Sequence, residues 1–209
     1  GAQPNLSSNI LMNKILIPIP PLHVQSEIVR ILDNFTELTA ELTAELTAEL
    51  TARRKQYKYY RDALFMFGDD VPMVKLGEIG TITRGSGLQK NDFTDSGVGC
   101  IHYGQIHTFY GTSAYETKSF VSPKLANILK KVKTGDVIIA VTSENVEDVC
   151  KCVAWLGKYE IVTGGHTAIL SHNQNPKYIS YYFQSNSFFE QKRKIAQGTK
   201  VIEVSPKKL

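Results

Sequence analysis

Residues 38–52 read Leu-Thr-Ala-Glu three times in succession, followed by Leu50-Thr51-Ala52. A four-residue period does not match the 3.6 residues of a helical turn. Each unit therefore carries the leucine position forward by about 40° and lengthens a helix by about 6 Å. Leu38, Leu42, Leu46 and Leu50 form a slowly winding seam, joined upstream by Ile31 and Phe35. Ala40, Ala44 and Ala48 are its small partners, and Glu41, Glu45 and Glu49 project outward. Whole units can be gained or lost without breaking the helix, as in an adjustable spacer between two bodies whose separation matters.

The helical pattern extends well beyond the repeats. Ile17-Pro18-Ile19-Pro20-Pro21 forbids helix and punctuates the start. Residues 26–66 then read as one rod of roughly 60 Å, with Ser26 as the expected N-cap. A rod that long with an apolar seam needs a partner helix. Arg53, Arg54, Lys55, Lys58 and Arg61 place cations where the helix dipole is negative, and Gly68 ends the element.

After residue 70 the texture changes to short β-branched runs between glycine-rich breaks. Strands are expected over residues 78–83, 136–142, 149–156 and 167–171, and closing helices over 176–185 and 187–197. The predicted fold class is α+β: a globule of about 140 residues joined to a long helix that pairs antiparallel as a coiled coil.

The 209 residues are 42% apolar, enough for one ordinary core and an extended element outside it. No apolar run is long enough for a bilayer, and the N-terminus lacks a basic-then-apolar signal pattern, so a cytoplasmic location and no membrane contact are expected. Cys100, Cys150 and Cys152 are odd in number and lack framework spacing, which predicts reduced, buried thiols rather than a metal site. Cys150-Lys151-Cys152 reads as alternation within a strand, with both thiols on one side. No resident cofactor and no metal are expected.

Net charge is +4, with lysines grouped at Lys124, Lys130, Lys131 and Lys133 and again around Lys192, Arg193, Lys194 and Lys200. Basic groups interleaved with His, Tyr, Gln and Asn fit contact with nucleic acid. Purine edges are read by Gln, Asn, Arg and Lys, whereas Ser, Thr, Tyr and Lys typically hold phosphates. On that chemistry the candidates are Arg84, Gln89 and Lys90 beside a glycine-rich loop; His102, Tyr103, Gln105 and His107 in a polar-aromatic run; Ser143 and Asn145 at a strand end; and His166 after a Gly-Gly turn. Lys192, Arg193, Lys194 and Lys200 are candidate phosphate contacts.

A second repeat links the two ends: Leu6-Ser7-Ser8-Asn9-Ile10-Leu11 has the form of Val204-Ser205-Pro206-Lys207-Lys208-Leu209. The chain thus reads as a permuted half of a two-fold repeated protein. Residues 1–22 stand at one end of the rod and the globule at the other. An antiparallel homodimer, each globule completed by its partner's N-terminal piece, satisfies both.

Several segments together resemble the specificity subunit of type I restriction-modification enzymes. Ile17-Pro18-Ile19-Pro20-Pro21-Leu22, Gln25-Ser26-Glu27-Ile28-Val29 and Ile31-Leu32-Asp33 are similar to the entry of that family's central helix, and the Thr-Ala-Glu-Leu units to its spacer. Leu76-Gly77-Glu78-Ile79-Gly80 with Arg84-Gly85, then Lys133-Thr134-Gly135-Asp136-Val137-Ile138-Ile139, resemble the opening and middle of a target recognition domain. Tyr178-Ile179-Ser180-Tyr181-Tyr182 and the Gly198 to Ser205 stretch resemble its end. Val24 stands where the family often has Glu, and Ser143-Glu144-Asn145 where a glycine is common.

The resemblance implies residues 1–22 as the closing segment of a recognition domain, 23–67 as the spacer helix and 68–209 as one recognition domain. It implies a subunit without catalytic activity that binds double-stranded DNA and docks modification subunits. Those partners carry S-adenosylmethionine, and restriction subunits join in the full complex. Two identical recognition domains would read a gapped inverted repeat.

Other classes fare worse. A methyltransferase needs an Asn-Pro-Pro-Tyr/Phe motif, and Asn175-Pro176-Lys177-Tyr178 lacks the second proline. A metal-dependent nuclease rests on Asp95 with Glu116-Thr117-Lys118, a common and usually solvated triplet. A coiled-coil adaptor binding protein rather than DNA remains the structural alternative.

Overall fold

The computed structural model describes residues 16–209. The closing segment expected over residues 1–22 lies, for its first fifteen residues, outside the described part. The chain divides into two compact units, residues 1–56 and 57–209.

Helix α1 spans Leu22–Leu64, 43 residues with none buried, or about 65 Å of rod. It begins four residues before the expected cap at Ser26. The Pro21 carbonyl accepts from the Val24 and Gln25 amides, and Gln25 Nε2 donates to the Pro20 carbonyl at 2.7 Å. The proline run thus opens the helix, and the Gln25 side chain folds back over it. Along the rod, Thr36, Thr39, Thr43, Thr47 and Thr51 each donate their hydroxyl to the carbonyl four residues earlier, at 2.7–2.9 Å. Leu38, Leu42, Leu46 and Leu50 stay between 51% and 60% exposed.

The second unit is built on two five-stranded sheets. The first has strands β1 (Gly80–Arg84), β11 (Thr167–His172), β7 (Val137–Ala140), β9 (Cys152–Trp155) and β4 (Ser113–Ala114), in that order. Its neighbours run antiparallel except for the β9–β4 pair. The second sheet orders β2 (Phe93–Thr94), β5 (Ser119–Val121), β3 (Val98–Ile101), β10 (Ile161–Thr163) and β6 (Lys130–Val132). A small ribbon pairs β8 (Thr142–Ser143) with β12 (Ile202–Glu203).

Alternation along β7 explains the layering, because successive side chains of a strand point to opposite faces. Val137 and Ile139 join Ala168, Leu170, Ile179, Phe183 and Phe188 in one core, under helices α5 (Pro176–Tyr182) and α6 (Asn186–Ile195). Ile138 and Ala140 point the other way, to Ile101, Val132 and Ile161 of the second sheet. A third cluster around Cys100, Val121 and Val162 closes that sheet's far side. The architecture is α+β, as the patterning predicts.

Two local expectations differ from the structure. Residues 76–79 form a helical turn, α2 (Leu76–Ile79), and the strand expected from residue 78 starts at Gly80. Cys150 lies outside β9 with φ +64, so Cys150 and Cys152 are not strand alternates. Both are nevertheless buried in the same core, and Cys100 is buried in another. Burial pushes all three thiols up to about 12.

Candidate nucleic-acid interface

The first sheet brings several chain ends to one edge. β1 finishes at Arg84 opposite Ala168, and β11 begins at Thr167 opposite Ala140, the last residue of β7. The next strand, β8, crosses to β12, with Thr142 against Glu203 and Ser143 against Ile202. Residues distant in sequence therefore meet here because the strands alternate in direction.

Helix α3 (Tyr103–Thr108) packs at this edge. His102 is its N-cap: the imidazole Nδ1 accepts from the Gly104 amide at 3.2 Å, while the Gln105 side chain accepts from the His102 amide at 3.0 Å. Gln105 Nε2 donates onward to Ser119 Oγ at 2.7 Å. Burial, with Lys90 and His166 adding to it, lowers the His102 imidazole from its ordinary value. Tyr103 follows on the first turn, its ring 4.4 Å from that of His102 and 4.8 Å from that of His166. The other two candidate histidines, His107 and His166, converge on Thr142. His107 Nε2 lies 3.2 Å from its carbonyl oxygen, and His166 Nδ1 lies 3.2 Å from its hydroxyl.

These side chains wall a cleft of about 480 Å³. Five of the sequence candidates, Tyr103, His107, Ser143, Asn145 and His166, line it together. Thr142, Asp148, Lys151 and Val201 line it as well, and sequence reasoning missed them. The one available signal was Thr142's place at the end of the Asp-Val-Ile-Ile-Ala-Val-Thr run. Asn145 spends its amide on Asp148, donating through Nδ2 at 3.0 Å and accepting the Asp148 amide at 2.7 Å. The Lys151 ammonium at 2.7 Å, with the Asn145 bond behind it, holds the Asp148 carboxyl below its usual value.

The remaining candidates lie elsewhere. Arg84 stands at the end of β1, half-exposed and paired with Glu203. Gln89 and Lys90 are exposed around a short 3-10 turn (Lys90–Asp92). Lys194 and Lys200 are exposed, and Arg193 pairs with Glu190 at 2.6 Å. Lys192 and His102 are buried. The Lys192 ammonium donates to the carbonyls of Glu147 at 2.8 Å and Val149 at 2.6 Å, which leaves it inside the globule rather than on its surface. Among the described residues no group of three or more His, Cys, Asp or Glu is arranged to hold a metal ion. No described helix is long and apolar enough to cross a membrane.

Residues 1–52 match the type I restriction modification DNA specificity domain. A Haemophilus influenzae chain named as a type I restriction enzyme specificity subunit is 40% identical over 137 residues, covering 62% of this chain and 34% of that one. Two Escherichia coli specificity subunits of type I restriction enzymes are 50% and 54% identical over 98 and 78 residues. These alignments cover 43% and 34% of this chain, and 23% and 20% of the relatives. The chain thus spans about a third or less of the length of these curated relatives. A chain solved in a study of complex assembly and conformational transition of the type I R-M system superposes with a TM-score of 0.56 at 23% identity. That overlap takes in 87% of this chain and 45% of the other, and it bears on the fold. The domain match over residues 1–52 and the curated relatives agree: the chain is similar to the specificity subunits of type I restriction-modification systems.

Proposed function

We propose that this chain is a non-catalytic, sequence-specific DNA reader that recognises one half-site of a bipartite target. The observation that carries this reading is the convergence of Tyr103, His107, Ser143 and His166 on one cleft, with Arg84 at the same sheet edge. The cleft offers hydroxyl and imidazole groups with an aromatic ring between them, which suits base edges and sugar-phosphate better than a small apolar ligand. Lys90, Lys194 and Lys200 supply exposed cations for phosphate contacts.

The helix takes the second role. Its leucine seam is exposed along a rod with no buried residue, and such a seam is stable only against another helix. The reading is of two chains pairing their rods antiparallel as a homodimer, with residues 1–22 exchanged between them. The domain limits expected from the sequence, 23–67 for the spacer and 68–209 for recognition, go with it. Modification subunits carrying S-adenosylmethionine dock on the assembly, and restriction subunits add to it. Two identical readers about a two-fold axis select a gapped inverted repeat.

The test is selection of the full chain on a pool of random duplexes, with and without a modification subunit, followed by sequencing of the bound fraction and measurement of the solution mass. A gapped inverted repeat bound by a dimer is expected. Recovery of no motif by a monomeric chain refutes the reading.

A further inference from the structure

Arg84 is held by two groups that the DNA-reading proposal does not use. Its Nε donates to the Gly165 carbonyl at 3.2 Å, and its Nη2 lies 2.9 Å from Glu203 Oε1. Both holders are themselves fixed. Glu203 sits on β12, its amide and carbonyl bonded to Gln197 at 2.8 and 2.9 Å, and it pairs with Thr142 of the cleft. Gly165 belongs to a loop interlocked with the β1 exit. A Cβ on Gly85 would collide with the Gly164 carbonyl and reach 2.8 Å from Thr167 Oγ1. The Gly85 amide also donates to the Thr167 carbonyl at 2.9 Å.

Nε and Nη2 lie on the same side of the planar guanidinium, so both contacts use that side of the group. Among the described residues no hydrogen bond is recorded from Nη1, which leaves the end of the guanidinium with donors to offer. A fork of two parallel donors in a fixed plane matches the N7 and O6 acceptors of guanine. A phosphate contact would not require a fixed plane. The Glu203 carboxylate at 2.9 Å also offsets the charge on which phosphate attraction depends. What survives neutralisation is directional hydrogen bonding. We propose that Arg84 reads a guanine in each half-site and that Glu203 is the positioning residue that sets the plane of its guanidinium. This rests on the DNA-reading proposal and adds the base and the residue that orients its reader.

The experiment repeats the random-duplex selection with the full-length wild type, Arg84→Gln and Glu203→Gln, alongside thermal melts and binding to an unrelated duplex. The wild type should recover a motif with an invariant G·C pair in each half-site. Arg84→Gln should lose that preference by about tenfold or move it to adenine, the base glutamine pairs with. Glu203→Gln should lose discrimination at the same position only. Its affinity for the unrelated duplex should hold or rise, because a negative charge has gone.

Unchanged preference in both variants overturns the inference. So does a Glu203→Gln loss spread evenly over every position with a lowered melting temperature. If Glu203→Gln alone is destabilised, Arg84→Gln leaves β12 intact and decides the base. A wild type that selects no motif refutes the DNA-reading proposal itself, and with it this one.

Discussion

Lys192 sits in a basic triplet that reads as phosphate-binding, yet its side chain is spent inside the globule, and replacing it separates the two roles. Lys192→Met keeps most of the aliphatic stem and removes the ammonium. The carbonyls of Glu147 and Val149, reached at 2.8 and 2.6 Å, then lose their donor. Leaving a buried acceptor unsatisfied costs about 1–3 kcal/mol. With two carbonyls and some relaxation, the loss should be about 2–4 kcal/mol. In a chain of this size that lowers the melting temperature by about 5–15 °C.

The sign of the pH effect follows from burial, which lowers the Lys192 ammonium below its ordinary 10.5. Between the lowered value and 10.5 the unfolded state holds more protons than the native state. Wild-type stability should therefore rise relative to Lys192→Met as pH climbs through that window. DNA binding provides the opposite control. A phosphate contact contributes about 0.9 to the slope of log affinity against log salt, whereas an internal cation contributes nothing. Differential scanning calorimetry and a salt titration on one duplex pool measure both. An unchanged melting temperature with a slope smaller by about 1 would refute the internal role.

Two further outcomes follow from other parts of the molecule. The three thiols are raised from 9.0 to about 12. The stability they contribute is complete below pH 9.0 and lost as pH rises toward about 12. At pH 8 a thiol reagent should label none of them in the native chain and all three after denaturation; rapid native labelling would contradict their burial. In the spacer, Leu42 and Leu46 are 55% and 56% exposed, so replacing both with Glu leaves the folding of a single chain almost untouched. It should convert the proposed dimer to monomer by light scattering. A dimer that persists would rule out this seam as the pairing surface.

The rod and the β-rich globule were legible because their signals are periodic. The leucine seam and the alternation of Val137, Ile138, Ile139 and Ala140 each repeat often enough to outweigh local noise. The cleft was legible in five of its lining residues and not in its arrangement. His102 caps a helix in place of the usual Ser, Thr, Asp or Asn, so the polar-aromatic run from His102 to His107 carries no helix-start signal. Lys192 was hidden inside a basic triplet, although its spacing of four from buried Phe188 put it on the inward face of α6. Glu203 gave no sequence signal, because its place beside Thr142 comes from a β8–β12 pairing between residues some sixty positions apart.

The threonine ladder of the rod has a consequence for how such a chain can change. Thr43 bonds to Thr39, Thr47 to Thr43 and Thr51 to Thr47. Every rung therefore finds its acceptor in the unit before it. A unit inserted anywhere in the series meets the same acceptor and offers the same one to its successor. The local energy of the helix is then nearly blind to how many units it holds. Length becomes a quantity that variation can explore freely, with any penalty or reward arising only from what the two ends must reach.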